Sequence, residues 1–135
     1  MNENLEKLNA ICDKTLAQTL GIKIIEVLPG HIVATMPVGP HNCQPMGLLH
    51  GGASVALAET VASLGGWLLV SDQGNVVVGL EINANHMRSA RAGLVTAVGD
   101  VLHQGRTTQV WEIKITSDEG KLICVSRCTL AVIKG

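Results

Sequence analysis

Phenylalanine and tyrosine are absent from this 135-residue chain, and tryptophan occurs only twice. A core without benzyl side chains must be built from Val, Ile, Leu and Ala, and the 47% hydrophobic content supplies enough of them for one domain spanning residues 1–135. A basic stripe is also missing. The formal net charge is -1 with the charges scattered, so nucleic-acid binding, which needs clustered Lys and Arg against phosphate, is not expected. None of Cys12, Cys43, Cys124 and Cys128 belongs to a Cys-x-x-Cys pair, which argues against a zinc ribbon or a dithiol redox centre. They are read as reduced thiols in a cytoplasmic protein. His50, His86 and His103 show no His-x-x-x-His spacing, so no metal site is expected, and no cofactor is called for. The segment Met1-Asn2-Glu3-Asn4-Leu5-Glu6 has neither a basic nor an apolar run, and no signal peptide is expected from it.

Acids are nearly missing from one long stretch. From Ala53 to Val70 the chain is small or aliphatic apart from two hydroxyl residues at 54 and 63, Thr60, Trp67 and a single acid, Glu59. The run from His50 onward is long enough to raise the question of a membrane span. Glu59 at its centre and the glycines at 51, 52, 65 and 66 point instead to a buried helix of about 20 residues, ending near Ser71-Asp72.

Before it, Leu5 to Leu20 reads as a helix with Leu5, Leu8, Ile11, Cys12 and Leu16 on one stripe, and Gly21 as its C-cap. Gly21 to Val27 and His31 to Pro37 read as strands joined by a Pro29-Gly30 turn, and Pro37 to Leu49 as a loop. After Gly74 the period becomes two, giving strands over Val76–His86, Gly93–His103, Thr107–Thr116 and Leu122–Ile133. The result is an α+β fold with an antiparallel sheet of about six strands against one long helix. A helix apolar nearly all round needs cover on more than one side. The sheet supplies one side, and a second copy of the chain is expected to supply the rest, as a homodimer.

A carboxylate among aliphatic side chains is costly unless it has a use. The His50-Gly51-Gly52 start of the same helix offers free N–H groups at its positive end. Together these are the halves of an acyl-transfer site: an amide to polarise a carbonyl, and a carboxylate to attack it or to activate water. Glu59 lies nine residues after His50, roughly 13 Å along a helix axis, too far for both to act on one small group. Two antiparallel helices about a two-fold axis would bring His50 and Gly51 of one copy to Glu59 of the other. Ser63, one turn beyond Glu59, could orient the carboxylate, and Gln44 could donate to the carbonyl.

The segments Gln44-Pro45, Gly47-Leu48-Leu49-His50-Gly51-Gly52, Leu57-Ala58-Glu59, Val78 to His86 and Gln109-Val110-Trp111 resemble the hotdog-fold thioesterases, in the branch acting on aromatic acyl-CoA. The resemblance covers essentially the whole chain. It implies a sheet wrapped round a long helix, dimers that often pair into homotetramers, and hydrolysis of an acyl-CoA thioester, with the 1,4-dihydroxy-2-naphthoyl group of menaquinone synthesis as the specific expectation. By matching position, Glu59 takes the place of the catalytic carboxylate and Gly51 that of the oxyanion amide, with Gln44 and His50 beside it and Ser63 supporting the acid. Gly79, His86, Met87, Arg88 and Ser89 fall at substrate-lining positions. The turn His103, Gln104, Gly105, Arg106, Thr107, Thr108 falls where the CoA phosphates and pantetheine are received. Met46 departs from the family, which often has an aromatic residue there, so the acyl pocket is expected to be reshaped. Release of misloaded aryl groups from a carrier protein, and acyl-CoA binding without turnover, are the alternatives; a hotdog dehydratase fits the Leu-Ala-Glu context less well.

Overall fold

A computed structural model describes residues 2–135. Its elements are α1 (Glu3–Ile11), α2 (Leu16–Leu20), β1 (Lys23–Leu28), β2 (His31–Pro37), α3 (Gly51–Val70), β3 (Asn75–His86), β4 (Leu94–Gln104), β5 (Thr108–Thr116) and β6 (Leu122–Lys134), with short 3-10 turns at Pro40–Asn42 and Ser71–Gln73. The strands form one six-stranded antiparallel sheet in the order β1-β2-β4-β5-β6-β3. Helix α3 packs on β2 through β6. This is the hotdog layout.

The period-two pattern of β5 places Gln109, Trp111, Ile113 and Ile115 in the core with no exposure. With no Phe or Tyr to share the space, one indole fills the centre, and α3 approaches it closely. A Cβ at Gly65 would lie 2.6 Å from the Trp111 ring, and one at Gly66 would lie 2.6 Å from Gln109 Oε1. The buried polar atoms there are paired: Trp111 Nε1 donates to Gln109 Oε1 at 2.8 Å, and Gln109 Nε2 donates to the Gly66 carbonyl at 3.1 Å. Such pairing is what makes a buried amide tolerable.

Helix α3 is long and apolar enough to cross a bilayer, yet half of its most apolar window is buried in the fold. It serves as the core helix. Leu57, Ala58, Val61 and Ala62 face the sheet and are fully buried. Val55, Ala56, Glu59, Thr60, Ser63 and Leu64 form the rest of this part of the helix surface, which is only half-buried.

The expected single helix over Leu5–Leu20 is two helices meeting at a corner. Helix α1 ends at Ile11, Lys14 takes φ 62, and Thr15 becomes the extended N-cap of α2. The Asp13-Lys14-Thr15 segment is short and polar, and the Thr15 hydroxyl donates to the Cys12 carbonyl at 2.5 Å. That bond satisfies a helix-end acceptor and stops propagation. The break also divides the apolar stripe: Leu8 and Cys12 are buried, while Ile11 and Leu16 remain exposed. Gly21 does cap α2 with φ 80, and Gly30 closes the β1–β2 hairpin with φ 75, conformations that suit glycine.

Strand β3 is an edge, paired only with β6 among the described residues. It is long, and Val78 and Leu80 are exposed along it. Its register slips between Gly79 and Glu81, a bulge at the point where α3 crosses.

Candidate active site

The loop before α3 is held from within. Asn42 is buried; its Nδ2 donates to Pro37 O at 2.9 Å, its Oδ1 accepts from Gly39 N–H at 3.1 Å, and its carbonyl accepts from His50 N–H at 2.9 Å. Gln44 Oε1 accepts from Met46 N–H at 2.6 Å and Leu48 N–H at 3.2 Å. Those bonds occupy the acceptor end of the Gln44 amide and leave its NH2 group to donate. Asn42 has no counterpart among the residues the sequence singled out. Its only signal there is a position nine residues ahead of the helix, which does not distinguish it from other loop polar residues.

His50 is the N-cap of α3, and its Nδ1 accepts from Gly52 N–H at 2.8 Å. The Gly51 N–H precedes the first intrahelical bond and is one of the orphan donors at the positive helix end. The His86 ring lies against Gly51: a Cβ there would be 3.0 Å from His86 Nε2. Gly51, Gln44, His86, Met87, Arg88 and Ser89 thus border one cleft of about 350 Å³, with Ser54 at its base.

Glu59 lies elsewhere. It and Ser63 line a groove of about 620 Å³ between α3 and the α1–α2 corner, walled by Ile11, Thr15, Leu16, Val55, Thr60 and Leu64 among others. Glu59 is half-buried in the single chain, less enclosed than the sequence suggested, because it lies at the margin of the sheet-facing side of α3, over edge strand β3. No hydrogen bond joins Ser63 to Glu59 among the described residues. Beneath Glu59 is Gly79, where a Cβ would sit 2.5 Å from Glu59 Oε2. Cys128 is buried close by on β6. Its thiol is pushed up to about 12, first by burial and then by the Glu59 and Glu81 carboxylates, so it is a neutral packing group.

The turn from His103 to Thr108 joins β4 to β5 and borders neither cavity. Gly105 N–H donates to Thr108 O at 2.8 Å, and Thr107 O accepts from Val132 N–H at 2.9 Å. Val132 pairs with Val77 near the start of β3, whereas His86 ends that strand. At strand rise the two ends are roughly 30 Å apart. Met46, the departure from the family pattern, is exposed at the loop tip.

One chain therefore holds three separate fragments: the Gly51 cleft, the Glu59 groove and the β4–β5 turn. An antiparallel partner laid along the free edge of β3 would set the start of one β3 beside the end of the other. Such an arrangement would bring a second copy's turn at 103–108 toward the Gly51 cleft, and the Gly51 end of one α3 toward Glu59 of the other.

The profile of the Thioesterase superfamily matches residues 46–124. The chain is 51% identical over 119 residues to a 1,4-dihydroxy-2-naphthoyl-CoA hydrolase of Listeria monocytogenes, covering 88% of this chain and 96% of that protein. It is 47% identical over 129 residues to a proofreading thioesterase of Cronobacter turicensis, covering 96% and 93%. A crystal structure of a Haemophilus influenzae thioesterase superposes with a TM-score of 0.93 at 50% identity, over 99% of this chain and 93% of that one.

Proposed function

The chain belongs to the thioesterase superfamily, and from that premise we propose that it hydrolyses aromatic acyl-CoA thioesters at a site shared by two copies. The observation that carries this reading is the separation of Glu59 from Gly51 along one α3, about 12 Å by helical rise, with each half of an acyl-transfer site built but apart. The Gly51 N–H of one copy receives the thioester carbonyl oxygen, with Gln44 and His50 of the same copy aligning it. Glu59 of the other copy takes a proton from water as the water oxygen bonds to the carbonyl carbon. The oxyanion is held by the amide. Collapse expels the CoA thiolate, which leaves readily without a general acid, and the acid product departs. Direct attack by Glu59, giving an anhydride that water then cleaves, uses the same geometry. His86, Met87, Arg88 and Ser89 border the carbonyl side of this site, and the partner's β4–β5 turn receives the phosphate end of CoA, with Arg106 as its cation.

The 1,4-dihydroxy-2-naphthoyl group is the acyl group we assign, with a role in menaquinone synthesis in the cytoplasm; the name of the Listeria relative supports it. A second reading, clearance of misloaded aryl carrier protein, is favoured by the Cronobacter relative. Thiol release from dihydroxynaphthoyl-, benzoyl-, hydroxybenzoyl- and straight-chain acyl-CoA, with Glu59→Ala beside the wild type, tests the proposal. Fast, Glu59-dependent release with an aromatic preference is expected. Slow release from every CoA ester, with fast release from acylated carrier protein, would select the second reading. Near-wild-type activity in Glu59→Ala would sink the mechanism.

A further inference from the structure

Two large apolar side chains stand exposed on the N-terminal helices, Ile11 at 46% and Leu16 at 61%. Both line the Glu59 groove, with Thr15 between them. The corner that carries them is strapped to the fold. Asn9 exchanges two hydrogen bonds with Ile24 of β1, at 2.9 and 3.0 Å. Asn2 Nδ2 donates to Val27 O at 3.1 Å, and His41 Nε2 donates to Leu20 O at 3.0 Å. Lys7 Nζ lies 4.8 Å from the Trp67 ring centroid on α3. A wall held at both ends keeps its shape when a ligand enters, which is what selectivity requires.

The polar groups in the groove have a definite sense. Thr15 donates its hydroxyl proton to Cys12 O, and Thr60 donates its own to Ala56 O at 2.7 Å. With those protons committed, the hydroxyls of these two groove-lining residues can act toward a ligand only as acceptors. They match an acyl group that carries O–H donors on an apolar frame. The corner also lies outside residues 46–124, the part matched to the superfamily profile, and its exposed Ile11 and Leu16 stand clear of the buried core.

We infer that the α1–α2 corner is the selectivity wall for the acyl group, with Ile11 and Leu16 gauging its width and Thr15 accepting from a ring hydroxyl of a hydroxylated aromatic acyl thioester. This rests on the thioesterase reading of the Glu59 groove.

The test is the ratio of kcat/KM values between paired thioesters in Thr15→Val, Thr15→Ser and Leu16→Trp, each checked for an intact fold by thermal melting. Thr15→Val should lower the hydroxybenzoyl-to-benzoyl ratio about fivefold, the size of one lost hydrogen bond, and Thr15→Ser should restore it. Leu16→Trp should lower the dihydroxynaphthoyl-to-butanoyl ratio by about tenfold or more, the size expected for crowding an apolar pocket. Ratios within about twofold of wild type in an active, Glu59-dependent enzyme would overturn the wall while leaving the thioesterase reading in place. If the wild type cleaves none of these esters, that reading fails instead, and dissociation constants of the same CoA esters for the same variants decide the wall: unchanged ratios there overturn it too.

Discussion

Glu59 rests on Gly79. A β-carbon at position 79 would come within 2.5 Å of the Glu59 carboxylate oxygen Oε2, so the side chain from mid-α3 reaches the sheet only because β3 presents bare backbone there. The bulge between Gly79 and Glu81 occurs at the same point, and bulges of this kind re-aim the residues around them. The carboxylate position is set by the strand as much as by the helix.

Gly79→Ala should therefore displace the carboxylate rather than break the fold. The clashing atom is the free end of a flexible side chain, which can turn away at small cost. A shift of about 1 Å in a reacting group can cost on the order of 100-fold in rate. We expect kcat for the preferred thioester to fall by one to two orders of magnitude on that basis, with the melting temperature and oligomeric state close to wild type. Full activity in a well-folded Gly79→Ala protein would show that Glu59 does not act from this position.

The strands and α3 were legible because their periods are strong: Gln109, Trp111, Ile113 and Ile115 alternate with outward residues, and α3 is the sole long apolar run. The α1–α2 break was not, because Leu8, Cys12 and Leu16 keep helical spacing across it, and the Thr15 bond that stops the helix leaves no periodic trace. The separation of Glu59 from Gly51 could be read from helical rise alone. The surroundings of Glu59 could not: Gly79 lies against it and Ile11 and Thr15 line the same groove through tertiary packing, and of these only Gly79 was marked as a site position, through a family resemblance and not through its spacing.

The close approach of α3 to Trp111 carries its own consequence. A methyl group at Gly65 would lie 2.6 Å from the fully buried indole. Replacing glycine by alanine within a helix ordinarily gains about 1 kcal/mol, but forcing an extra methyl into a packed core costs about 1–3 kcal/mol. With Trp111 fully buried and its indole N–H bonded to Gln109, the second effect should win. Gly65→Ala is expected to lower the melting temperature by several degrees, and a rise would mean that the sheet yields at this contact.

On the far side of the sheet, His31 bridges two carboxylates, with Nδ1 2.6 Å from Asp100 and Nε2 2.6 Å from Glu26. Asp100 foremost, opposed by desolvation and helped by Glu26, raises the imidazole above its ordinary 6.5. A folded-state value above the unfolded one means that the stabilisation is fully present below the unfolded value and is lost as pH rises through the folded one. Both carboxylates are more than half exposed and His31 is partly so, so after solvent screening the effect is at most about 1 kcal/mol. The melting temperature of wild type relative to His31→Gln should be a few degrees higher near pH 6, converge at alkaline pH, and narrow in high salt. A gap independent of pH would show that His31 contributes by packing alone.

Sharing of the site between copies can be decided by mixing two inactive proteins. Gly51→Pro deletes the proposed oxyanion donor with little else, since proline is favoured at the first position of a helix. The preceding His50 already has φ -65 and ψ 132, a conformation that proline tolerates in its neighbour, and the His86 ring need move only slightly. Loss of one such donor typically costs about 100- to 1,000-fold in kcat. Glu59→Gln removes the proton acceptor. Each variant alone should be nearly inert. Unfolded together and refolded at equal amounts, they should recover about a quarter of the wild-type rate, because about half of the two-fold dimers are hybrids and each hybrid keeps one intact site of its two. If Glu59 and Gly51 served the same site within one chain, every site in every hybrid would carry a lesion and nothing would be recovered.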